Sequence, residues 1–408
     1  MGGDHAAGLA APGPVGLEFD PFSEAFFADP HPVYRLMRER QPVYYSERHD
    51  FHALTRYDDV STALKDWETF SSARGVDLES IKKGAVAPAG IIALDPPDQT
   101  RLRVLVSRAF TPRAILGLEP MVKEVIDRRL DALGDTFDAV EDFSALFPIE
   151  IISRMLGIPP ERHAFVRRSV DRMLARRDSL AMSDDQLAVA IELGAYYYTL
   201  CVERRDNLGD DMISRLIAAE VERDDGTRLG LTDVEIASFV SLLGNAGSET
   251  VTKLVANAFV LFFQNPDQWR LLQENPALIP RAVEEILRFD PPVSYVGRYA
   301  TRDVTLHGRT IPRGGAVLLA IGAATRDEAA YADPDRFDIT RPVRHNLGFG
   351  YGVHNCLGAA LARIESRLAL TEMLRRMPTY RVDLSGLQRV RMANVRGFAH
   401  VPVEVVGR

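Results

Sequence analysis

A glycine-rich segment that leads directly into a helix constrains this chain more than any other feature. Residues 348–359 read GFGYGVHNCLGA, and the alternating glycines allow sharp turns and close approach of the backbone to a flat ligand. From Leu357 onward apolar residues recur at helical spacing, so we predict that a helix begins there. Cys356 would then lie at a helix N-terminus, where unpaired N–H groups favour a thiolate. The alternative is a buried structural cysteine.

A second segment has clear helix boundaries. Thr232 and Glu235 have the spacing of a capping box, in which each side chain accepts a hydrogen bond from the other residue's N–H. Pro266 should end the helix at about residue 264. At ~1.5 Å per residue the helix would span roughly 50 Å, enough to cross a domain. Its middle carries Glu249 and Thr250, a carboxylate and a hydroxyl with no evident structural role.

Five short motifs follow one another in a fixed order. They are Asp95-Pro96-Pro97 followed by Thr100-Arg101-Leu102-Arg103, then Ala246-Gly247-Ser248-Glu249-Thr250, Glu285-Ile286-Leu287-Arg288, Asp335-Arg336-Phe337, and Phe349-x-x-Gly352-x-x-x-Cys356-x-Gly358 with His354 two residues before the cysteine. The last resembles the haem-binding signature of the cytochrome P450 family. The others resemble that family's C-helix, oxygen-activation, Glu-x-x-Arg and network-completing elements. Because any one of these motifs could arise by chance, the resemblance depends on their joint occurrence in this order.

The resemblance implies a mainly α fold with a minor β portion, as a single large domain over residues 17–408. The haem would lie between the long central helix and the helix that follows the cysteine. Helical periodicity dominates from about residue 30 to residue 290, in agreement with this fold. Strand-like alternation is confined to residues 51–55, 305–306, 310–311, 317–321 and 401–406. Residues 1–16 are rich in Pro, Gly and Ala, so we expect a flexible arm there.

The cofactor implied by the resemblance is haem b, iron protoporphyrin IX, with Cys356 as the metal ligand. A thiolate ligand pushes electron density onto the iron, which favours cleavage of a bound O–O bond. Arg298, Arg103 and His354 fall on the family's positions for holding the propionates. Where the family commonly has histidine, this chain has Gln99, from which we expect an uncharged hydrogen bond to a propionate or none. The other implied cofactor contacts are Phe349, Gly350, Gly358, Ala246 and Gly247.

Glu249 and Thr250 are the implied catalytic pair. Thr250 can donate and accept hydrogen bonds at once, which suits a bound oxygen species, and Glu249 can relay protons from bulk water. Gly244 and Gly247 lie one turn apart in the same helix, and each costs about 1 kcal/mol relative to alanine. They would allow either close packing of another helix or a local widening that leaves room for dioxygen. The adjacent acid and alcohol favour the second interpretation.

The implied substrate pocket is mostly apolar, which is typical of sites for hydrophobic molecules such as terpenoids, steroids, fatty acyl chains or aromatics. Each position could equally fill the core. The residues are Val76, Leu78, Val86, Ile91, Ile92, Leu242, Leu243, Ala246, Val293, Tyr295, Val296 and Phe398.

Glu285 and Arg288 lie one helical turn apart, so they can form an ion pair. On an exposed helix face such a pair would add only a few tenths of a kcal/mol. The resemblance instead implies a buried network with Arg336 that fixes the cysteine loop. Its role would be structural rather than catalytic.

Charge and cysteine content limit the partners and the compartment. The net charge of -8 argues against a nucleic-acid-binding protein, because phosphate recognition depends on positive charge. No uninterrupted apolar run reaches the ~18 residues of a membrane-spanning helix. A chain with two cysteines suits a reducing compartment. We therefore expect a cytoplasmic protein without a membrane span, and we expect it to be a monomer.

The resemblance implies a monooxygenase that inserts one oxygen atom from O2 into a C–H or C=C bond. The chain has no Gly-x-Gly-x-x-Gly opening of a dinucleotide-binding fold, so electrons from NAD(P)H would arrive through a separate reductase and a ferredoxin-type donor. Several arginines offer either a docking face for an acidic donor or a solvated basic surface. They are Arg101, Arg103, Arg108, Arg113, Arg341 and Arg344.

Two other functions stay open at this point. The first is a peroxide-driven hydroxylase, although such relatives usually lack the acid–alcohol pair that Glu249 and Thr250 supply. The second is not an enzyme but a haem-based gas sensor or carrier, for which a proton relay beside bound oxygen would be a disadvantage. A hydrogen-peroxide assay would distinguish the peroxide-driven hydroxylase from the O2-dependent monooxygenase. Autoxidation and turnover measurements would distinguish the sensor or carrier from the monooxygenase.

Overall fold

Helices form most of the chain that the computed structural model describes, which comprises residues 17–84, 90–174, 183–222, 228–342, 344–392 and 394–407. The α-helices are α1 (Glu24–Ala28), α2 (His31–Arg40), α3 (Tyr57–Lys65), α4 (Leu78–Lys83), α5 (Asp98–Ala109), α6 (Pro112–Leu116), α7 (Glu119–Asp131), α8 (Phe147–Leu156), α9 (Pro160–Leu174), α10 (Asp184–Asp206), α11 (Met212–Ile217), α12 (Asp233–Gln264), α13 (Pro266–Glu274), α14 (Ile279–Phe289), α15 (Ile321–Ala324) and α16 (Ala359–Arg376). The predicted arm over residues 1–16 and the predicted pocket residue Val86 lie outside the described residues.

The strands are short, and the largest sheet has the order β1-β2-β10-β7-β3. They are β1 (Val43–Ser46), β2 (Phe51–Leu54), β3 (Phe70–Ser71), β4 (Thr136–Asp138), β5 (Glu220–Glu222), β6 (Arg228–Gly230), β7 (Val296–Ala300), β8 (Val304–Leu306), β9 (Arg309–Ile311), β10 (Ala316–Leu319), β11 (Tyr380–Val382), β12 (Gln388–Arg389), β13 (Phe398–His400) and β14 (Pro402–Val405). In the largest sheet β2 and β10 run parallel and the other neighbours antiparallel. The predicted mainly α architecture is confirmed.

The long central helix α12 begins and ends where the sequence predicts. The Thr232 hydroxyl accepts from the N–H of Glu235 at 3.2 Å, and the Glu235 carboxylate accepts from the N–H of Thr232 at 2.9 Å. This capping box satisfies two N–H groups that the first turn would otherwise leave unpaired. Helices α8, α10 and α16 pack around α12, and most of its second half is buried. The core of the molecule therefore forms around this helix.

The predicted strands correspond to β2, β8, β9, β10 and β14, while β1, β3 to β7 and β11 to β13 were not predicted. Strand β7 is buried on both sides, so its residues do not alternate between apolar and polar. None of the helices in the described ranges is long and apolar enough to cross a membrane.

Candidate functional site

The cysteine loop contains two short 3₁₀ turns, Leu347–Phe349 and Gly352–His354. Gly350 and Gly352 have φ angles of 72° and 67°, in the left-handed region that favours glycine. The N–H of Cys356 then donates to the carbonyl of Phe349 at 2.7 Å. This bond closes the loop and fixes the cysteine just before α16.

Two side-chain amides anchor the loop to different helices. Asn346 donates to the carbonyl of Glu284 in α14 at 2.9 Å. Gln99 of α5 is fully buried and donates to the carbonyl of Val353 at 2.6 Å. The Gln99 amide is thus engaged by the loop that carries the cysteine, and a contact of its second N–H with a propionate stays a prediction.

The Cys356 thiol is accessible although it lies deep within the protein, so it faces an internal cleft. Burial raises the pKa of this thiol, and it outweighs the N–H of Gly358 and the guanidinium of Arg103, which lower it. The N–H groups at the helix start thus favour the thiolate as expected, but burial opposes them more strongly. A metal cation at the sulfur would supply the missing charge, because a coordinating thiol is deprotonated outright.

Three cationic or donor side chains lie together beside this loop. Arg298 is 4% exposed, and burial lowers the pKa of its guanidinium to about 10. Burial, followed by the charges of Arg298 and Arg103, lowers the pKa of His354 to about 4. The Nε2 of His354 is buried without a hydrogen-bond partner. None of the three forms an ion pair within 4 Å among the described side chains, so a ligand with carboxylates, such as haem with its two propionates, fits them.

One turn of α12 opens onto a cleft. Ala246 is exposed and Thr250 is half-buried, although most of the following residues of the helix are buried. Leu243, Ala246 and Thr250 are spaced by three and four residues, so they share one face of the helix. The Thr250 hydroxyl donates to the carbonyl of Ala246 at 3.0 Å, which leaves its lone pairs to accept a further hydrogen bond.

Glu249 is buried beside a lysine of the same helix. The Nζ of Lys253 lies 3.3 Å from Oε2 of Glu249, but out of line for a hydrogen bond, so Oε2 has no hydrogen-bond partner in the described part of the chain. Both side chains are under a tenth exposed. Half-exposed Asp171 of α9 is close enough that burial and then the charge of Glu249 raise its pKa. A carboxylate at the surface, that of Asp171, thus lies near the buried Glu249.

Gly244 and Gly247 make room for neighbouring helices. A Cβ on Gly244 would come within 2.5 Å of the hydroxyl oxygen of Tyr197 in α10. A Cβ on Gly247 would come within 2.9 Å of Cδ1 of Ile152 in α8. Helix α12 is also continuous through this region. These contacts favour close packing of neighbouring helices as the role of Gly244 and Gly247, while the contact of Gly247 with a cofactor stays a prediction.

The predicted substrate residues do not share one environment. Ile92 is 41% exposed, and Leu243, Val293 and Val296 are half-buried, as expected of residues that border open space. Ile91 instead packs into the core, where it lines a small apolar cavity of about 130 Å³ between α5 and the N-terminal half of α12.

The structure also differs from the prediction that Phe398 borders the substrate pocket. It is 3% exposed, belongs to the main core, and its ring centre lies 3.9 Å from the guanidinium carbon of Arg389. Val395, which the sequence analysis missed, is half-buried and forms an antiparallel bridge with Val293. The pairing of these two distant segments has no local sequence signal. Val395 is therefore the better candidate for a pocket residue from the C-terminal hairpin.

The Glu-x-x-Arg pair forms a buried network. Arg288 donates to both carboxylate oxygens of Glu285, at 2.7 and 2.8 Å, and each side chain is under 5% exposed. Arg336 joins through its carbonyl, at 3.3 Å from Arg288, while its side chain is exposed. The second guanidinium comes from Arg341, 3.4 Å from Glu285. Arg341 is therefore part of the network rather than of a basic docking face.

An iron porphyrin would satisfy both requirements of this site. Its iron would supply a cation to the sulfur of Cys356, and its propionates would supply carboxylates to Arg298 and Arg103. The fold and the site thus define the class of haem-thiolate proteins. The model of the family "Cytochrome P450" matches residues 184–399. The chain belongs to the cytochrome P450 family and is a monooxygenase, an oxidoreductase.

Similar proteins match over nearly their whole length. The chain is 40% identical to a putative cytochrome P450 123 of Mycobacterium tuberculosis, covering 96% of this chain and 98% of that protein. It is 37% identical to the vitamin D(3) 25-hydroxylase of Pseudonocardia autotrophica, covering 95% and 96%. Among solved structures, cytochrome P450 CYP109Q5 from Chondromyces apiculatus superposes with a TM-score of 0.86 at 31% identity, covering 96% of this chain and 99% of that one.

Proposed function

We propose that this protein inserts one oxygen atom from O2 into an apolar organic substrate, by hydroxylation or epoxidation. Haem b would be held between α12 and α16, with Cys356 as the iron ligand and with Phe349, Gly350, Gly358 and Ala246 against the macrocycle. The bound haem supplies dioxygen activation, which a thiolate ligand directs toward cleavage of the O–O bond.

One observation carries the proposal: the Arg298 guanidinium is buried beside the cysteine loop without an ion-pair partner among the described side chains, and Nε2 of His354 is buried there without a hydrogen-bond partner. An unpaired buried charge costs several kcal/mol, so this arrangement favours a ligand that brings its own anions. Arg103 adds a third donor on the same side. These three residues would bind the propionates and orient the cofactor over the sulfur.

Glu249 and Thr250 would deliver protons. The Thr250 hydroxyl donates to Ala246, so its oxygen can accept a hydrogen bond from a protonated group in the cleft. Glu249 lies next to it in sequence and would carry protons inward from the side where Asp171 meets solvent. Lys253 would hold the carboxylate in place. If either member of the pair is removed, electrons should be lost as hydrogen peroxide instead of appearing in product.

Electrons would come from a ferredoxin-type donor and its NAD(P)H reductase, in the cytoplasm where NAD(P)H is supplied. A cleft of about 500 Å³ beside Phe349 and Asn355 supports this assignment, because Arg344 and Arg363 line it. Basic side chains at such a cleft suit an acidic donor. Glu284, also in the lining, pairs with Arg363 and reduces that charge.

The pocket residues and the names of the relatives support a substrate class. Ile92, Leu243, Val293 and Val296 are apolar and only partly covered. Similar proteins carry the names vitamin D(3) 25-hydroxylase and erythromycin C-12 hydroxylase, and the structure of a related cytochrome P450 was solved with testosterone. These names support a large hydrophobic substrate of the sterol or macrolide kind.

Reconstitution tests the proposal. The purified protein is combined with a surrogate ferredoxin, its reductase and NADPH, and a panel of sterols and macrolides is incubated under isotopically labelled O2. We expect one labelled oxygen atom in a product. Equal turnover with hydrogen peroxide and no donor would favour a peroxide-driven hydroxylase, whereas slow autoxidation without any product would favour a carrier.

A matched pair of variants tests whether Arg298 binds a haem propionate. Arg298→Gln should lower the haem retained through gel filtration several-fold. Arg313→Gln, an exposed arginine that follows the neighbouring hairpin, should retain haem like the unmutated protein. Equal retention in both variants would remove the support for a propionate site.

A further inference from the structure

Helix α10 is apolar on an outer face as well as on its inner one. Its inner residues, Val189, Leu193, Tyr197, Leu200 and Cys201, are buried against the core. On the outer side Leu187 is 52% exposed, Ile191 64%, Tyr198 44% and Val202 40%. Their spacing of four, seven and four residues aligns them along one stripe. Single exposed apolar residues are ordinary, but an aligned set marks an interaction surface.

The stripe has apolar residues at equal distances on either side of its midpoint. Gly194 and Ala195 lie at that midpoint. Outward from them, Ile191 is matched with Tyr198, Leu187 with Val202, and Asp184 with Arg205. At ~100° per residue, these residues share an arc of about 100° of the helix surface. The stripe is therefore self-complementary, with an acid at one end and a base at the other.

We propose that two copies of this chain pair through antiparallel α10 helices, related by a two-fold axis at Gly194 and Ala195. A two-fold interface is isologous, so if one residue contacts a second, the second contacts the first in the other copy. Leu187 of each copy would then meet Val202 of the other, and Ile191 would meet Tyr198. A Cβ on Gly194 would have no atom within 4 Å, so a second helix can approach closely at the axis.

Charge favours the antiparallel arrangement over the alternatives. Pairing in opposite directions brings Asp184 of each copy to Arg205 of the other, whereas parallel pairing would bring acid to acid. Arg205 is already held by Asp233 of its own chain at 2.5 Å, so less side-chain freedom is lost on pairing. The exposed acids Asp185 and Glu192 flank the stripe and disfavour an anionic membrane surface as the occupant.

The size of the stripe sets the strength of the interaction. From residue 184 to residue 205 it is ~32 Å long and one helix, ~10 Å, wide. It would bury ~300 Å² per copy, less than the ~800 Å² of a standard interface. The expected dimer is therefore weak, with a dissociation constant in the micromolar range or above.

Sedimentation of the haem-containing protein over a concentration series tests the pairing. The dimer fraction should rise between ~1 and ~300 µM, and Ile191→Glu should weaken association at least ~10-fold, because it buries two carboxylates in the stripe. Leu384→Glu, at an exposed leucine far from α10, should associate like the unmutated protein. Both variants should keep the unfolding midpoint and the carbon monoxide spectrum, so that only association changes.

Cross-linking tests the axis itself. Ala195→Cys should form a covalent dimer on mild oxidation. Ala188→Cys, exposed two turns from the axis, should not, because antiparallel pairing keeps the two copies of residue 188 ~20 Å apart. A protein that stays monomeric throughout the series would overturn the proposal. So would undiminished association of Ile191→Glu, equal cross-linking of the two cysteine variants, or binding of the monomer to neutral lipid vesicles through this stripe.

Discussion

Gly397 lies so close to Lys253 that a Cβ on this glycine would come within 2.6 Å of the lysine Cβ. Gly397 directly precedes β13, while Lys253 belongs to α12, so the C-terminal hairpin holds the lysine stem against the helix. The lysine ammonium then lies 3.3 Å from Glu249. One lysine thus connects the hairpin that bears Val395 with the proposed proton relay.

Lys253→Met should impair proton delivery without unfolding the protein. Methionine keeps an apolar stem against Gly397 but leaves the buried Glu249 carboxylate without the neighbouring cation that would hold it in place. We expect product formed per NADPH to fall roughly tenfold, corresponding to about 1.4 kcal/mol. Hydrogen peroxide should rise in proportion, and Lys253→Arg should restore much of the yield. Unchanged product per NADPH in Lys253→Met would show that the lysine has no such role.

Thr250→Ala should also divert electrons to hydrogen peroxide, because the cleft loses the hydroxyl that faces it. The matched control is Thr252→Ala, two residues further along the same helix. The Thr252 hydroxyl is buried and donates to the carbonyls of Ser144 and Ser248, both at 2.9 Å. Its loss should cost about 1 kcal/mol of stability and leave the yield per electron intact. If both variants give the same yield, the assignment of Thr250 is wrong.

Glu285→Gln should destabilise the protein and loosen the cysteine loop. It leaves the guanidinium of Arg288 buried without a carboxylate, a change that costs about 3–5 kcal/mol. Chemical denaturation should show this loss, accompanied by faster release of haem. Glu79→Gln breaks the exposed pair with Lys83 and should cost less than about 1 kcal/mol. Equal stabilities of the two variants would contradict a buried structural network.

Some of these features could be predicted because they are encoded locally. The capping box at Thr232 and the break before Pro266 fixed the ends of α12, and the glycines before Cys356 indicated the turns that the loop makes. Backbone chemistry over a few residues is enough to specify such elements. The predicted residues Cys356, His354 and Arg298 also come together, although their roles stay proposals.

The features that could not be predicted depend on contacts between distant segments. Gly247 faces Ile152 and Phe398 lies under Arg389, and neither neighbour can be inferred from local spacing. For Cys356 the sequence shows the N–H donors at the helix end, which lower the pKa of the thiol, but not the burial that raises it, because burial is a property of the whole fold. Tertiary packing therefore decides what the motif residues alone leave open.

Acid should weaken the fold through Asp290. Burial alone would raise the pKa of this carboxyl, but the guanidinium groups of Arg396 and Arg389 hold it well below its usual range. A folded-state pKa below the unfolded value of about 3.9 means that the carboxylate stabilises the fold above that pH and that this stability is lost as the pH falls further.

Unfolding by urea at a series of pH values checks this expectation. The unmutated protein should exceed Asp290→Asn in unfolding free energy at neutral pH, and the difference should shrink below about pH 4. A difference that stays constant down to about pH 3 would mean that Asp290 is not held ionised by its arginines.

The most direct test of the account is the optical spectrum of the dithionite-reduced protein under carbon monoxide. We predict the red-shifted Soret band of thiolate ligation in the unmutated protein and its loss in Cys356→Ser, while Cys201→Ser keeps it. Purified protein without a tetrapyrrole, or a Cys356→Ser spectrum identical to that of the unmutated protein, would contradict iron ligation by Cys356.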